Sequence, residues 1–137
     1  MKTVIRTAVE TDLMNLLKYD RHIAPHRLKT VISEGRAFVA ESDGNIRGVL
    51  RCSLFWESIP FLDLIYIDPT CQKQGLGRAM MKFWEAKMKQ NGFRFCLTST
   101  QEDETAKFFY EALGYTKTGA FFPPEQEAAE LIYQKNL

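Results

Sequence analysis

The segment Gln72-Lys73-Gln74-Gly75-Leu76-Gly77-Arg78 gathers two amides, two cations and two glycines in seven residues. That combination suits an anion. Gly75 and Gly77 carry no Cβ to hold a ligand away from the main chain, so backbone N–H groups can converge there. A helix starting at this point adds unpaired N–H donors and a partial positive charge. Together these features make a pocket for a phosphate or pyrophosphate. Lys73 and Arg78 add full charge to it, and Gln72 and Gln74 add neutral donors. Two phosphate motifs are excluded as its explanation. The nucleotide pattern G-x-x-x-x-G-K-[ST] is absent, and in G-x-G-x-x-G the third glycine position is Met80. A nucleotide binder or hydrolase built on this turn is therefore disfavoured. What remains is Q-x-x-G-x-G following "IDP".

Such a turn needs a strand in front and a helix behind. "FLDLIYI" supplies the strand, and its nearly continuous apolar content predicts a buried, central one. Pro69 helps to end it, because proline cannot donate to a ladder. Behind the turn, Leu76, Met80, Phe83, Trp84 and Met88 follow helical spacing, and Gly92 is a natural stop. Upstream, residues 2–7 alternate as a strand. Thr11 is the expected N-cap of a helix bearing Leu13, Leu16 and Leu17. Pro25 opens a second helix with Leu28, Val31 and Ile32 apolar, ending near Gly35. "RAFVAE" and "IRGVLRCSLFW" are strands joined by a hairpin loop at Asp43-Gly44-Asn45. Downstream come a strand "FRFCLTST", a helix "DETAKFFYEALG", and strands "YTKTGAFF" and "AELIYQKN" around a "PPEQE" loop. The helix carries Ala106, Phe109 and Leu113 on one stripe, and Gly114 ends it. This order predicts an α/β fold with a mixed sheet flanked by helices.

The bulk properties narrow the function class. A chain of 137 residues fits a single domain over 1–137, and 45% hydrophobic with 26% charged residues is ordinary for a globular protein. A net charge of +1 gives no general reason to expect nucleic acid. Any anion site is local. Cys52, Cys71 and Cys96 are odd in number and form no metal spacing, so no metal is expected and the thiols are expected to be reduced. The N-terminal stretch lacks an apolar signal core, and no run reaches the ~18 apolar residues of a membrane span. The expectation is a cytoplasmic protein that engages no membrane.

On two motifs the chain resembles the GCN5-related N-acetyltransferase (GNAT) superfamily. The [QR]-x-x-G-x-[GA] segment stands complete as Gln72 to Gly77, and A-x-x-F-Y-x-x-x-G-[FY] is matched from Ala106 to Tyr115. The resemblance implies an acyl-CoA N-acyltransferase fold, a mixed and mostly antiparallel sheet flanked by about four helices. It implies acetyl-CoA as co-substrate, with an acetyl group moved to a primary amine by direct attack on the thioester. Gln72, Lys73, Gln74, Gly75, Leu76, Gly77 and Arg78 would hold the pyrophosphate. The pantetheine arm would pair with the strand near Ile65 and Ile67, where a backbone N–H can also stabilise the oxyanion. Tyr110 takes the place of the family's tyrosine, a phenol with an ordinary pKa of ~10 that can protonate the leaving thiolate.

For the base that deprotonates the amine, the expected residue is Asp63, whose burial in the strand would raise its pKa. Glu57 is its competitor. Asp103 stands where many relatives carry an asparagine that contacts the cofactor arm. An ionised carboxylate cannot donate, so Asp103 is either an altered cofactor contact or simply charge in a helix's first turn. His22 and His26 border the region where relatives take the acceptor. Phe55, Trp56, Phe121 and Phe122 are expected mostly in core or interface, with a few walling the acceptor pocket. The "FFPPEQE" loop is a candidate for substrate selection or a homodimer contact. The acceptor is a small-molecule or peptide amine. The alternative function is a non-catalytic acyl-CoA-binding or sensing module.

Overall fold

The hydrophobic spacing resolves into the elements and the order it predicts. The computed structural model describes residues 2–137. It contains β1 (Thr3–Thr7), α1 (Leu13–Tyr19), α2 (Pro25–Ser33), β2 (Ala37–Ser42), β3 (Asn45–Phe55) and β4 (Ile59–Ile67). Then follow α3 (Leu76–Gln90), β5 (Phe95–Gln101), α4 (Ala106–Ala112), β6 (Thr116–Phe121) and β7 (Glu130–Asn136). The strands run in the order β1-β2-β3-β4-β5-β7-β6. β4 and β5 are parallel, whereas β1 with β2, β2 with β3, β5 with β7 and β6 with β7 are antiparallel. The fold is therefore α/β, with a mixed, mostly antiparallel sheet and four helices. Among the described residues no helix is long and apolar enough to cross a membrane.

Packing divides the chain into two units, Met1–Ser53 with Asp63–Trp84, and Leu54–Leu62 with Glu85–Leu137. In the first, Leu16 of α1 and Leu28, Val31 and Ile32 of α2 bury themselves with Val39 and Val49 of the hairpin strands. Pro25 occupies the first turn of α2, where its missing N–H costs nothing. Asp43 and Gly44 take positive φ at the hairpin turn, the twist that two-residue hairpins require. The entry to α1 differs from expectation. A 3-10 turn, Glu10–Asp12, precedes the helix, and the Asp12 carboxylate takes the Val9 N–H (2.8 Å) and the Arg6 guanidinium (2.7 Å). Asp12 holds this corner in place of Thr11, because a buried ionised oxygen accepts more strongly than a hydroxyl. Gly48 lies where β3 meets other layers: a Cβ there would stand 2.7 Å from Met80 Sδ and 3.1 Å from Ile67 Cδ1.

β4 also departs from its predicted character. Pro60 and Leu62 are buried, but Leu64, Ile65 and Ile67 are half-buried and Asp63 and Tyr66 exposed. Its register with β5 consists of Phe61↔Leu97 and Leu62↔Thr98, both in the first half of the strand. The apolar run fixes a central position in the sheet order without requiring burial along its whole length.

In the second unit β5 alternates strictly, with Cys96, Thr98 and Thr100 inward. The Tyr115 hydroxyl donates to Glu85 (2.7 Å), whose other oxygen accepts from Lys135 (2.8 Å). α4 is shorter than predicted. The Glu102 N–H is given to Ala129 (2.9 Å) and the Glu104 N–H to Gln101 (3.1 Å), so the turn leaves β5 before the helix forms at Ala106. The core part of the aromatic expectation is corrected: Phe55, Trp56, Phe121 and Phe122 are exposed, Trp56 at 77% and Phe122 at 78%. Trp56, Glu57 and Ser58 form the tip between β3 and β4, all three exposed and the first two at positive φ.

The tight approach at Gly48 gives a stability test. Gly48→Ala overpacks the contact with Met80 and Ile67 and should cost about 1–3 kcal/mol, read as a shift in urea midpoint at unchanged slope.

Candidate active site

The turn after β4 is built by its own polar groups. Asp68 accepts the Thr70 N–H (2.9 Å), the Thr70 hydroxyl (2.5 Å) and the Tyr19 hydroxyl (2.6 Å). The Thr70 hydroxyl, then Tyr19 and the Thr70 N–H, hold the Asp68 carboxyl well below the usual carboxylate range. The Gln72 amide donates to the Ile67 carbonyl (3.0 Å) and Gln74 to the Thr70 carbonyl (3.4 Å). Each glutamine thus spends a donor on bracing the loop, a role the sequence reading did not foresee. Lys73 and Gly75 adopt positive φ, 63° and 84°. A Cβ on Gly75 would have no heavy atom within 4 Å, so the approach to this backbone is open. The Gly75 carbonyl accepts from Ala79 (3.0 Å) and opens α3. The N–H groups of Leu76, Gly77 and Arg78 consequently lie in the first turn, where no intrahelical acceptor exists. Lys73 and Arg78 are exposed beside them.

Nine residues before Gln72, Asp63 accepts from the Ser53 hydroxyl (3.0 Å), and Arg51 stands 3.7 Å away. Arg51 is shared: its Nε donates to the buried Asp20 at 2.6 Å. Burial pushes the Asp63 carboxyl up, against the opposing pull of Ser53, Arg51 and Arg36. Asp63 is exposed as a residue although only 22% of its side chain is. Its exposure therefore lies in the main chain. His22 and His26 are exposed around the α1–α2 turn, and the His22 N–H is given to Asp20 (3.1 Å).

The second unit holds Tyr110, Asp103 and Glu57. Tyr110 is buried on α4 among the rings of Phe109, Tyr115 and Tyr133. Burial raises its phenol, Thr98 opposes that, and the charges of Glu104 and Glu130 add to it. The group keeps its proton at neutral pH, as a proton donor must. Asp103 is exposed in the turn ahead of α4 rather than in the helix. Glu57 is exposed at the hairpin tip.

Strand, turn and helix therefore join Asp63, Ile65, Ile67 and residues 72–78 in one continuous stretch of the first unit. Sequence reasoning missed Ser53, Arg51, Asp20, Tyr19 and Asp68. Of these only Asp68 had a local signal, since Asp-Pro-Thr is a turn-forming triplet. Cys52, Cys71 and Cys96 are buried and free, and burial pushes the Cys52 and Cys96 thiols up to about 11. Among the described residues no group of three His, Cys, Asp or Glu is placed to hold a metal ion.

Residues 33–117, more than half of the chain, match the sequence model of the acetyltransferase (GNAT) domain. The chain belongs to the GNAT acetyltransferases. Solved structures share the fold across its whole length. The GNAT-family acetyltransferase of Bacillus cereus ATCC 10987 is 22% identical, with 99% of this chain and 98% of that one covered and a TM-score of 0.83. Ard1 of Thermoplasma volcanium is 13% identical, with 100% and 99% covered and a TM-score of 0.88. The PaiA N-acetyltransferase of Thermoplasma acidophilum, solved in complex with coenzyme A, is 16% identical, with both chains covered at 100% and a TM-score of 0.84. Within this GNAT chain the family match contains the whole of β4, the glycine turn and Tyr110.

The Ser53 hydrogen bond favours the charged form of Asp63. Ser53→Ala removes it, so the Asp63 carboxyl should titrate at a higher pH than in the parent, as followed by carbon-13 NMR.

Proposed function

We propose that this GNAT protein moves an acetyl group from acetyl-CoA to a primary amine, of a small molecule or a peptide, by direct attack on the thioester. The observation that carries this reading is the turn at Gly75. A left-handed glycine with open space, a fresh helix start and two exposed cations form an anion cradle directly after a strand with exposed main chain. These features fit the pyrophosphate of coenzyme A, the ligand of the PaiA enzyme. Lys73, Gly75, Leu76, Gly77 and Arg78 would hold it, with Gln72 and Gln74 keeping the loop in shape.

Bound acetyl-CoA supplies the activated acyl group; the chain supplies position and protons. The β4 main chain near Ile65 and Ile67 would pair with the extended pantetheine arm, as an open strand edge takes an extended ligand. A backbone N–H there would meet the developing oxyanion. Asp63 would take the proton of the incoming ammonium, a role that suits a carboxyl held above its ordinary pKa. Tyr110 would give its proton to the departing thiolate. Holding the thioester beside the amine removes much of the entropic cost of their meeting. Asp103 lies near the start of α4 without a donor to offer, so any contribution to the cofactor goes through water or charge.

Saturating acetyl-CoA, at ~100 times its Kd, should stabilise the protein by ~2.7 kcal/mol, seen as a thermal shift with acetyl-CoA and CoA but not with ATP or NAD. No shift with either CoA species would sink the reading. With an amine that releases thiol, Tyr110→Phe should lose ~10²- to 10⁴-fold in turnover; full activity would remove Tyr110 from the mechanism. Binding without thiol release across a wide amine panel would favour a sensing module instead.

A further inference from the structure

We propose that Tyr19 and Asp20, the last residue of α1 and its C-cap, are positioning residues that hold the cofactor turn and Asp63 respectively. This rests on the acetyl-transfer reading above, and deepens it by assigning the element that sets both working parts of β4.

Tyr19 reaches the turn directly. Its hydroxyl stands 2.6 Å from Asp68 Oδ2 and 3.0 Å from the Ile46 carbonyl. A phenol has one proton, and the shorter contact to a charged oxygen claims it. Asp68 in turn organises Thr70 through two bonds, and the Thr70 carbonyl receives the Gln74 amide. The Tyr19 ring also lies 5.8 Å from that of Tyr66 on β4. The groups facing Asp68 are Tyr19, Thr70 and Arg47, the last at 3.6 Å. The phenol is therefore a direct link between a helix remote in sequence and the glycine turn.

Asp20 reaches the other end of β4 through Arg51. The carboxylate is buried, with one oxygen on Arg51 Nε at 2.6 Å and the other on the His22 N–H at 3.1 Å. Arg51 extends Nη1 to 3.7 Å from Asp63. Asp63 also faces the Ser53 hydroxyl, Arg36, Asp20 itself and the Cys52 thiol. The guanidinium is thus divided between two carboxylates. Neutralising Asp20 frees it to pair fully with Asp63 and removes a nearby negative charge. Both changes favour ionised Asp63 and make it a weaker base.

The test uses the full chain. Tyr19→Phe keeps the ring and loses only the hydroxyl. Its Kd for acetyl-CoA by calorimetry should rise about tenfold, with KM for acetyl-CoA following and kcat changing less than about twofold. Asp20→Asn should move the carbon-13 titration of Asp63 to lower pH, and move the acidic limb of kcat/KM for the amine with it. KM for acetyl-CoA should stay put, and Asp20→Glu should restore the limb. Unchanged acetyl-CoA affinity in Tyr19→Phe overturns the proposal, as does an unmoved Asp63 titration in folded Asp20→Asn. If Asp20→Asn does not fold, the Tyr19→Phe affinity decides. Failure of the underlying reading looks different, because the parent protein itself would then bind no acetyl-CoA.

Discussion

The Asp68 carboxylate is the contact on which the shape of the turn after β4 depends. It closes β4, caps the turn that follows, and takes the Tyr19 phenol that anchors the turn to α1. The backbone beyond it makes two left-handed excursions, at Lys73 and Gly75, within three residues. Lys73 is not a glycine, so its positive φ costs energy that its surroundings must offset. The bonds from Thr70, Gln72 and Gln74 are that compensation. A cradle that offers backbone N–H groups to an anion gains little if those groups must be ordered at the moment of binding. Here the ordering is done beforehand by side chains.

Two carboxylates, one within β4 and one just after it, follow opposite electrostatics. Asp68 is surrounded by donors and held down, whereas Asp63 is dominated by burial and held up. The signs carry through to stability. A depressed carboxyl stabilises the fold above its unfolded pKa of ~3.9, and that contribution is lost as pH falls toward the folded value. A raised carboxyl does the reverse: its protonated form fits the fold better, so its contribution fades as pH rises through the folded pKa. The structural anchor is therefore secure at neutral pH, and the proposed base carries the strain. That division suits a site in which one group must never titrate and the other must.

Much of the fold was legible because its signals are local. Asp43-Gly44 announces a hairpin, Pro25 a helix start, and Gly75 after a strand announces the left-handed turn that opens the next helix. The misses arise where distant residues decide. Thr11 is a fair N-cap by type, but Arg6 and the Val9 N–H select Asp12. α4 begins late because the Glu102 N–H is committed to Ala129, across 27 residues of chain. The exposed aromatics were unreadable because hydrophobicity does not say which way a hairpin tip points. Arg51 joins Asp20 and Asp63 from 31 residues after one and 12 before the other. No window of sequence shows that pairing, and the charge of the candidate base depends on it.

The proposed reaction asks the protein to move two protons in opposite directions, and the chain carries one group of matching character for each. A thiolate leaving group needs a donor that keeps its proton until the charge develops. A phenol buried among Phe109, Tyr115 and Tyr133 cannot ionise early, because burial penalises the phenolate. An ammonium acceptor needs a carboxylate that is charged enough to attract it and basic enough to take its proton. Asp63, partly buried but beside exposed main chain, can be reached by solvent for return of that proton. Full burial would have made it a poor anion, and full exposure an ordinary weak base. The intermediate setting comes first from burial, opposed by the Ser53 hydroxyl and by an Arg51 that is shared with Asp20.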